Sequence, residues 1–334
     1  MEARILQRDR LLQLVDELIR DHEVIAPKDE LSYGKISSGS EVYLNDQKPV
    51  NSLKEFFFPQ REVLFGYQLA GKEVKLVPPP PSLDTSRVIF AARPCDVASL
   101  PILDKLVTWD CLDPFYLERR DKTVIVSLAC AQPAKTCFCV SVDGSPAGIE
   151  GSDLLLTPLG DVYHVQIITR RGKTLVEKHK ELFQESDQEH NRERAWLEDE
   201  WREKIVREVD AEGLPRALNF ESPVWETITP QCVDCAICTF LCPTCYCFDI
   251  QDEGNPDEGQ RVRLWDSCAF QDFTRMPVAQ PRPAHYRRYR QRIMHKFKYY
   301  PQNFKRTLCV GCGRCIQYCP VGVDITEVLR TVRE

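Results

Sequence analysis

Two cysteine runs constrain this chain more than any other feature. Residues 232–243 read C-V-D-C-A-I-C-T-F-L-C-P, and residues 309–320 read C-V-G-C-G-R-C-I-Q-Y-C-P. Both have the spacing C-x2-C-x2-C-x3-C-P. Closely spaced cysteines of this kind wrap a short loop around one iron–sulfur cube, each thiolate directed at a different iron. The last cysteine, next to a proline, leaves that loop on a helical turn and reaches the neighbouring cube. The pattern predicts two [4Fe–4S] clusters with crossed ligands. Cluster one takes Cys232, Cys235, Cys238 and Cys319; cluster two takes Cys309, Cys312, Cys315 and Cys242. Each cluster then ties together segments distant in sequence, so metal binding and folding of this region are coupled. Structural zinc is the competing reading. Zinc favours paired CxxC or Cys/His sets, one four-ligand set per ion, and two complete runs ending in Cys-Pro do not fit that habit.

The 334 residues are enough for two domains of ordinary size, and 43% hydrophobic with 28% charged residues is the balance of a soluble globular protein. Sixteen cysteines would suggest disulfides in a short secreted chain, but here they bunch at metal spacings. The first residues, Met1 to Arg20, read as a charged amphipathic helix without the apolar centre of a signal peptide. No apolar run approaches a membrane span. A reduced, cytoplasmic protein is expected, with no membrane contact except through a partner.

Residues 1 to about 85 read as that opening helix followed by short strands. Phe56-Phe57-Phe58-Pro59 suggests core or a subunit interface, and Pro78 to Pro81 a stiff connector. Arg87 to Ala92 and Thr123 to Leu128 read as buried strands, with a helix over Val97 to Leu106 between them. Such alternation predicts an α/β domain with a parallel or mixed sheet. Ligands gather at the carboxyl ends of strands in such sheets. Cys95 and Cys130 fall at those ends, and Cys137-Phe138-Cys139 follows. These four cysteines either hold a third cluster or are buried structural thiols; Cys111 stands apart as structural. Leu154 to Thr169 reads as a hairpin with Tyr163, Val165 and Ile167 facing the core. Leu175 to Glu212 is charged, acid-rich and expected to be a helical connector. The expected domains are therefore 1–215, α/β, and 216–334, carrying the cysteine runs and a long insertion.

Within the second domain Cys245, Cys247 and Cys268 lie close in sequence to the first run, with open roles: tuning, ligation or packing. From Phe273 to Val323 there is no acid, while Arg288, Arg292, Lys296, Arg314 and other bases recur among tyrosines and phenylalanines. A nucleic-acid patch is one reading. The chain carries a net charge of −6, however, and thiolate-held clusters are anionic, so cluster tuning or subunit docking is preferred. No G-x-G-x-x-G, P-loop, H-E-x-x-H or G-x-S-x-G motif appears. The chain has wiring without a recognisable substrate site.

The cysteine runs are those of bacterial ferredoxins, and their combination with other stretches is more specific. These stretches are Phe56-Phe57-Phe58-Pro59 with Arg61-Glu62, Arg93-Pro94-Cys95-Asp96, Cys130 with Cys137-Phe138-Cys139, Pro223-Val224-Trp225, Pro243-Thr244-Cys245-Tyr246-Cys247 and Trp265-Asp266-Ser267-Cys268-Ala269-Phe270. Over nearly its full length the chain resembles the beta subunit of cytosolic NAD(P)-linked [NiFe] hydrogenases (sulfhydrogenases) and the A subunit of anaerobic sulfite reductase. The resemblance implies an α/β domain followed by an α-helical, two-[4Fe–4S] ferredoxin-like domain with an insertion. It implies a third [4Fe–4S] cluster on Cys95, Cys130, Cys137 and Cys139. It also implies a relay subunit, not catalytic alone, between a flavin/NAD(P)H-binding Fe–S subunit and a hydrogenase-like or sulfite-reductase-like catalytic subunit. Competing readings are a relay in a heterodisulfide-reductase-like bifurcating complex, an enzyme with an open iron at the N-terminal cluster, and an Fe–S regulatory or nucleic-acid-binding module.

Overall fold

Long runs of branched apolar residues become strands covered on both faces, and such runs form the middle of the molecule. The structure, a computed structural model, describes residues 2–71 and 73–333. Its strands, in chain order, are β1 (Ala3–Gln7), β2 (Glu23–Pro27), β3 (Tyr33–Lys35), β4 (Arg61–Ala70), β5 (Glu73–Val77) and β6 (Arg87–Ala92). Then come β7 (Thr123–Leu128), β8 (Leu154–Leu159), β9 (Val162–Ile167), β10 (Phe183–Glu185), β11 (Phe248–Gly254) and β12 (Glu258–Trp265). The larger sheet has eight strands in the order β10-β1-β9-β8-β7-β6-β2-β3. Its centre is parallel, pairing β2 with β6, β6 with β7 and β7 with β8, and its flanks are antiparallel. The N-terminal part is thus mixed α/β.

Two expectations change. The chain opens as β1, not as a helix: Ile5 and Leu6 are both buried because β1 is paired with β9 on one side and β10 on the other. The amphipathic helix begins only at Leu11 and runs to Asp21, burying Leu11, Leu14, Val15 and Leu18. The acid-rich connector is also broken. A helix over Arg170–Lys178 gives way to β10 at the sheet edge, and a second helix spans Gln188–Glu203, capped by Asp187 accepting the His190 N–H at 2.9 Å. This second helix covers the hairpin β8–β9, so His164 is buried on the face opposite Tyr163, Val165 and Ile167, which join the main core.

A second, four-stranded sheet runs β11-β12-β4-β5, all antiparallel. It joins strands from both sides of residue 215. Phe57 and Phe58 sit beneath it in a core with Tyr116, Leu100 and Ile89. A third cluster of apolar groups lies around the cysteine runs. There Trp225, Ile293, Phe297 and Ile325 are fully or almost fully buried, beside Cys232, Cys309, Cys315 and Cys319.

Candidate metal centres

The two cysteine loops adopt the same local shape. Each needs residues in the left-handed region two positions after its first cysteine and one after its second. In the first run these are Asp234 (φ 54°) and Ala236 (φ 61°); in the second, Gly311 (φ 62°) and Gly313 (φ 73°). A side chain there costs roughly 1–2 kcal/mol. The second run has no room for one at all: a Cβ on Gly311 would lie 2.5 Å from the Cys139 Cα, and one on Gly313 would collide with the Thr136 carbonyl oxygen. Short helices, Ile237–Phe240 and Arg314–Gln317, then carry the chain to the last cysteine. Cys232, Cys235, Cys238 and Cys319 line one pocket, closed by Arg288, Tyr289 and Arg292. Cys242, Cys309, Cys312 and Cys315 line a second with Lys296. The final cysteine of each run therefore lies with the first three of the other.

The third group is built by the larger sheet. Ala91 (φ 56°) forms a bulge at the carboxyl end of β6, where pairing with β7 slips between Phe90 and Ala92. Bulges re-aim side chains at such edges. This one delivers Arg93 and Cys95, while Cys130 follows directly from β7. Cys95, Cys130, Cys137 and Cys139 line one pocket with Lys48, Arg93 and Cys312. The Cys137–Cys139 loop rests on the second cysteine run: the Phe138 N–H donates to the Gly311 carbonyl at 2.8 Å, and the Cys137 thiol to the Cys312 carbonyl at 3.7 Å. Beside them Arg314 and Asp96, both with 0% side-chain exposure, pair through both carboxylate oxygens at 2.5 and 2.9 Å. Tyr33 donates to the same carboxylate at 3.1 Å.

The thiols are accompanied by cations that lack carboxylates, three of them buried and Lys48 half-buried. Lys296 lies 3.2 Å from the Cys242 sulfur and also donates to Thr244 Oγ1 and the Leu308 carbonyl. Arg292 donates to the Cys238 carbonyl at 3.1 Å. Lys48 reaches the Cys137 sulfur at 3.6 Å, and Arg93 donates to the Ala129 carbonyl at 2.8 Å. Among the described residues none of these four makes an ion pair with a carboxylate. Buried charges demand a counter-charge, and thiolates are the anions at hand. Burial pushes several thiols the other way, Cys309 to about 11 and Cys139 and Cys315 to about 12, whereas contact with Cys245 and the nearby Lys296 hold Cys242 well below the ordinary thiol value. An iron–sulfur core held there would take these groups as thiolates, with release of their protons.

Spacing separates a cube from a single ion. Zinc–thiolate bonds of about 2.3 Å put tetrahedral sulfurs about 3.8 Å apart. Among the described residues no three cysteine sulfurs lie within 4.8 Å of one another; the one group of ligating atoms that tight is Glu17, His179 and Glu181. In none of the three pockets do three cysteine sulfurs crowd together as a single zinc ion requires.

The pockets also adjoin. Cys315 and Arg292 line both the first and second, and Cys312 lines both the second and third. Cys242, Cys309 and Cys312 are buried, whereas Cys235 is exposed at the first pocket. A cavity of about 530 Å³, walled by Arg306, Glu150 and Arg202, opens beside Cys95 and Cys139 at the third. Cys111 is exposed and apart. Sequence reasoning missed Lys48 and Lys54 and the partnership of Asp96 with Arg314. An isolated lysine carries no signal of burial, although Asp96 and Arg314 both stand next to cluster-type cysteines. Much of the acid-free stretch turns inward: Arg288, Arg292, Lys296 and Arg314 are buried.

Two pockets with crossed cysteine sets, docked on an α/β sheet, define an iron–sulfur dicluster protein. A family model described as "4Fe-4S dicluster domain" matches residues 231–323. Over 307 residues, 90% of this chain and 89% of the other, the sequence is 30% identical to Sulfhydrogenase 2 subunit beta of Pyrococcus furiosus. The chain belongs to this family of hydrogenase-type beta subunits, iron–sulfur proteins of electron transfer, and its dicluster domain carries two [4Fe–4S] clusters. Among the described residues no helix is long and apolar enough to cross a membrane.

Proposed function

We propose that this chain is the electron relay of a multisubunit oxidoreductase, passing electrons between a flavin/NAD(P)H-binding subunit and a hydrogenase-like or sulfite-reductase-like catalytic subunit. Cluster one is assigned to Cys232, Cys235, Cys238 and Cys319, and cluster two to Cys309, Cys312, Cys315 and Cys242. A third cluster is assigned to Cys95, Cys130, Cys137 and Cys139. The observation that carries the reading is the row of adjoining pockets, interior in the middle and open at both ends. Such a row suits conduction better than substrate chemistry at one centre. Cubane clusters, when bound, supply one-electron redox chemistry.

The protein's own part is to hold and bias them. Lys296, Arg292, Lys48 and Arg93 place fixed positive charge at the thiolates, which favours the reduced, more negative state. N–H groups do the same locally: Gly311 N–H points at the Cys309 sulfur at 3.4 Å and Val323 N–H at the Cys319 sulfur at 3.2 Å. Apolar side chains such as Phe138, Ile293 and Phe297 pack in one buried core with Cys309, Cys315 and Cys319. The division of the chain near residue 215 is part of this reading, with the relay bridging the two halves.

Iron and acid-labile sulfide are to be counted on anaerobically purified protein, with EPR. The three assigned cubes account for roughly twelve irons, any iron beyond these belonging to a further site, and a Cys137→Ser variant should lose roughly four. Roughly eight would leave the dicluster relay and make the four N-terminal cysteines structural. Cys319→Ala should remove the signal of the cluster on Cys232, Cys235 and Cys238; loss of the Cys309 cluster alone would refute the crossed assignment.

A further inference from the structure

Lys54 is buried at 3% exposure on the short helix Lys54–Phe57, remote from all three assigned ligand sets in sequence. Its ammonium donates to the carbonyls of Phe240 (3.3 Å) and Cys245 (3.0 Å) and lies 3.8 Å from the centre of the Trp265 ring. Among the described residues it makes no ion pair with a carboxylate, and the neighbouring Glu55 acts on it only at longer range. A ring face and two carbonyls attract a cation but do not neutralise it, and burying an unneutralised ammonium is costly. At the assigned sites the same situation is met by thiolates. The groups facing Lys54 are three thiols, Cys245, Cys242 and Cys247, and a second cation, Lys296, and burial holds the Lys54 pKa below the ordinary lysine value. Cys242 already has Lys296 as its counter-ion. That leaves Cys245 and Cys247, and with them Cys268.

The fold brings these three together. Cys247 immediately precedes β11 and Cys268 closely follows β12, and the pairing of Phe248 with Trp265 sets the two ends side by side. The Asp266 N–H donates to the Cys247 carbonyl at 3.0 Å, and Ser267, fully buried, is tied to Thr239 at 2.7 Å. Cys247 and Cys268 are in direct side-chain contact, the Cys268 N–H is aimed at the Cys247 sulfur, and Cys245 faces Cys268. The three sulfurs are not all within 4.8 Å of one another.

We infer that Cys245, Cys247 and Cys268 hold an additional iron–sulfur cluster, with Lys54 as its buried counter-cation. Three thiolates leave one iron of a cube to a non-cysteine ligand. Packed structural thiols would account for the cysteines but not for the lysine, since an apolar side chain would fill its place without cost. The site would be a branch from the relay: Cys268 also lines the first pocket, and Cys245 touches Cys242 of the second. The inference takes from the relay reading the premise that thiols beside buried cations ligate iron.

The test uses the full chain, purified anaerobically and reconstituted with ferrous iron and sulfide. Iron, sulfide and zinc are measured in the parent, in Cys247→Ser/Cys268→Ser and in Cys245→Ser, with EPR of the dithionite-reduced proteins and thermal melting. The double variant should lose roughly four irons, or three for a trinuclear cluster, while the signals of the assigned clusters persist. Cys245→Ser should do the same. Unchanged iron in both variants would overturn the site. So would one zinc per parent chain that the variants lack. Disappearance of the cluster-one or cluster-two signal in Cys245→Ser, with melting unchanged, would make Cys245 a ligand of that cluster and also overturn it. A parent with fewer than about eight irons would instead refute the relay reading itself.

Discussion

Single side chains set the electrostatics of this protein, and Lys296 shows how. It sits on a π turn, His295–Tyr299, within the helical stretch that follows the β11–β12 hairpin, and such turns are frequent at functional sites. Burial works against its ammonium, yet the thiols of Cys242 and Cys245 outweigh that and hold its pKa above the ordinary lysine value. Reduction adds a negative charge to a cluster, so a nearby cation stabilises the reduced form. At an effective dielectric of about 20 and a charge separation of about 6 Å, the interaction is about 3 kcal/mol. Lys296→Met should therefore lower the potential of cluster two by on the order of 100 mV in an EPR-monitored redox titration. A shift too small to resolve would show that the lysine serves Thr244 and Leu308 instead. The base-rich stretch around Lys296 was visible in the sequence, but which way each base turns was not. Arg288, Arg292 and Lys296 recur at i+4 intervals and so share one face of the helix. Lys48 and Lys54 stand in loops and a single turn, where no periodicity marks an inward side.

At the scale of elements, the parallel centre of the large sheet was legible because β6 and β7 are covered on both faces and read as continuous apolar runs. The hairpin β8–β9 was legible from its alternation and its Gly160-Asp161 turn. β1 was not, because Ile5 and Leu6 fit the amphipathic pattern of the helix that follows. The small sheet was not either: β5 and β11 are exposed along their whole length, and β4 and β12 pair across a long stretch of chain. The cysteine loops were legible as ligand sets, yet not their fit against the Cys137–Cys139 loop, which depends on Gly311 and Gly313. What fastens the second run to the large sheet is the buried Arg314–Asp96 pair. Breaking such a pair from one side leaves a buried charge unmatched and costs roughly 3–5 kcal/mol, whereas replacing both partners by apolar groups can be nearly neutral. Asp96→Asn should thus lower the urea midpoint markedly, and Asp96→Leu/Arg314→Met should recover most of the loss. Equal destabilisation by the single and double changes would mean that local packing, not the charge pair, fastens the loop.

For the whole molecule, the consequence is that cofactor and fold cannot be separated evenly. The large sheet has an apolar core of its own, drawn from β1, β2, β6, β7, β8, β9 and the Leu11–Asp21 helix. The region of the cysteine runs has a smaller core that includes the cysteines themselves, with Arg292 and Lys296 buried inside it. Removing the clusters leaves Arg292 facing Cys238 and Cys315, thiols that burial drives towards the neutral form, at a cost of several kcal/mol for the unmatched charge. Exposure to water is the cheaper outcome. Stripping iron with ferricyanide and a chelator, under anaerobic conditions, should therefore unfold the C-terminal region selectively. Hydrogen exchange read by mass spectrometry should show protection lost over residues 232–242, 285–304 and 309–319, and kept over β6, β7 and β8. The small sheet decides where the cooperative boundary falls. If β4 loses protection together with β11 and β12, the unfolding unit reaches back across residue 215 and the sheet belongs with the clusters. If β4 remains protected, it is anchored by Phe57 and Phe58 to the large sheet, and only the hairpin detaches. Uniform loss along the chain would refute the separation, and protection retained throughout would show that the buried cations are satisfied without metal.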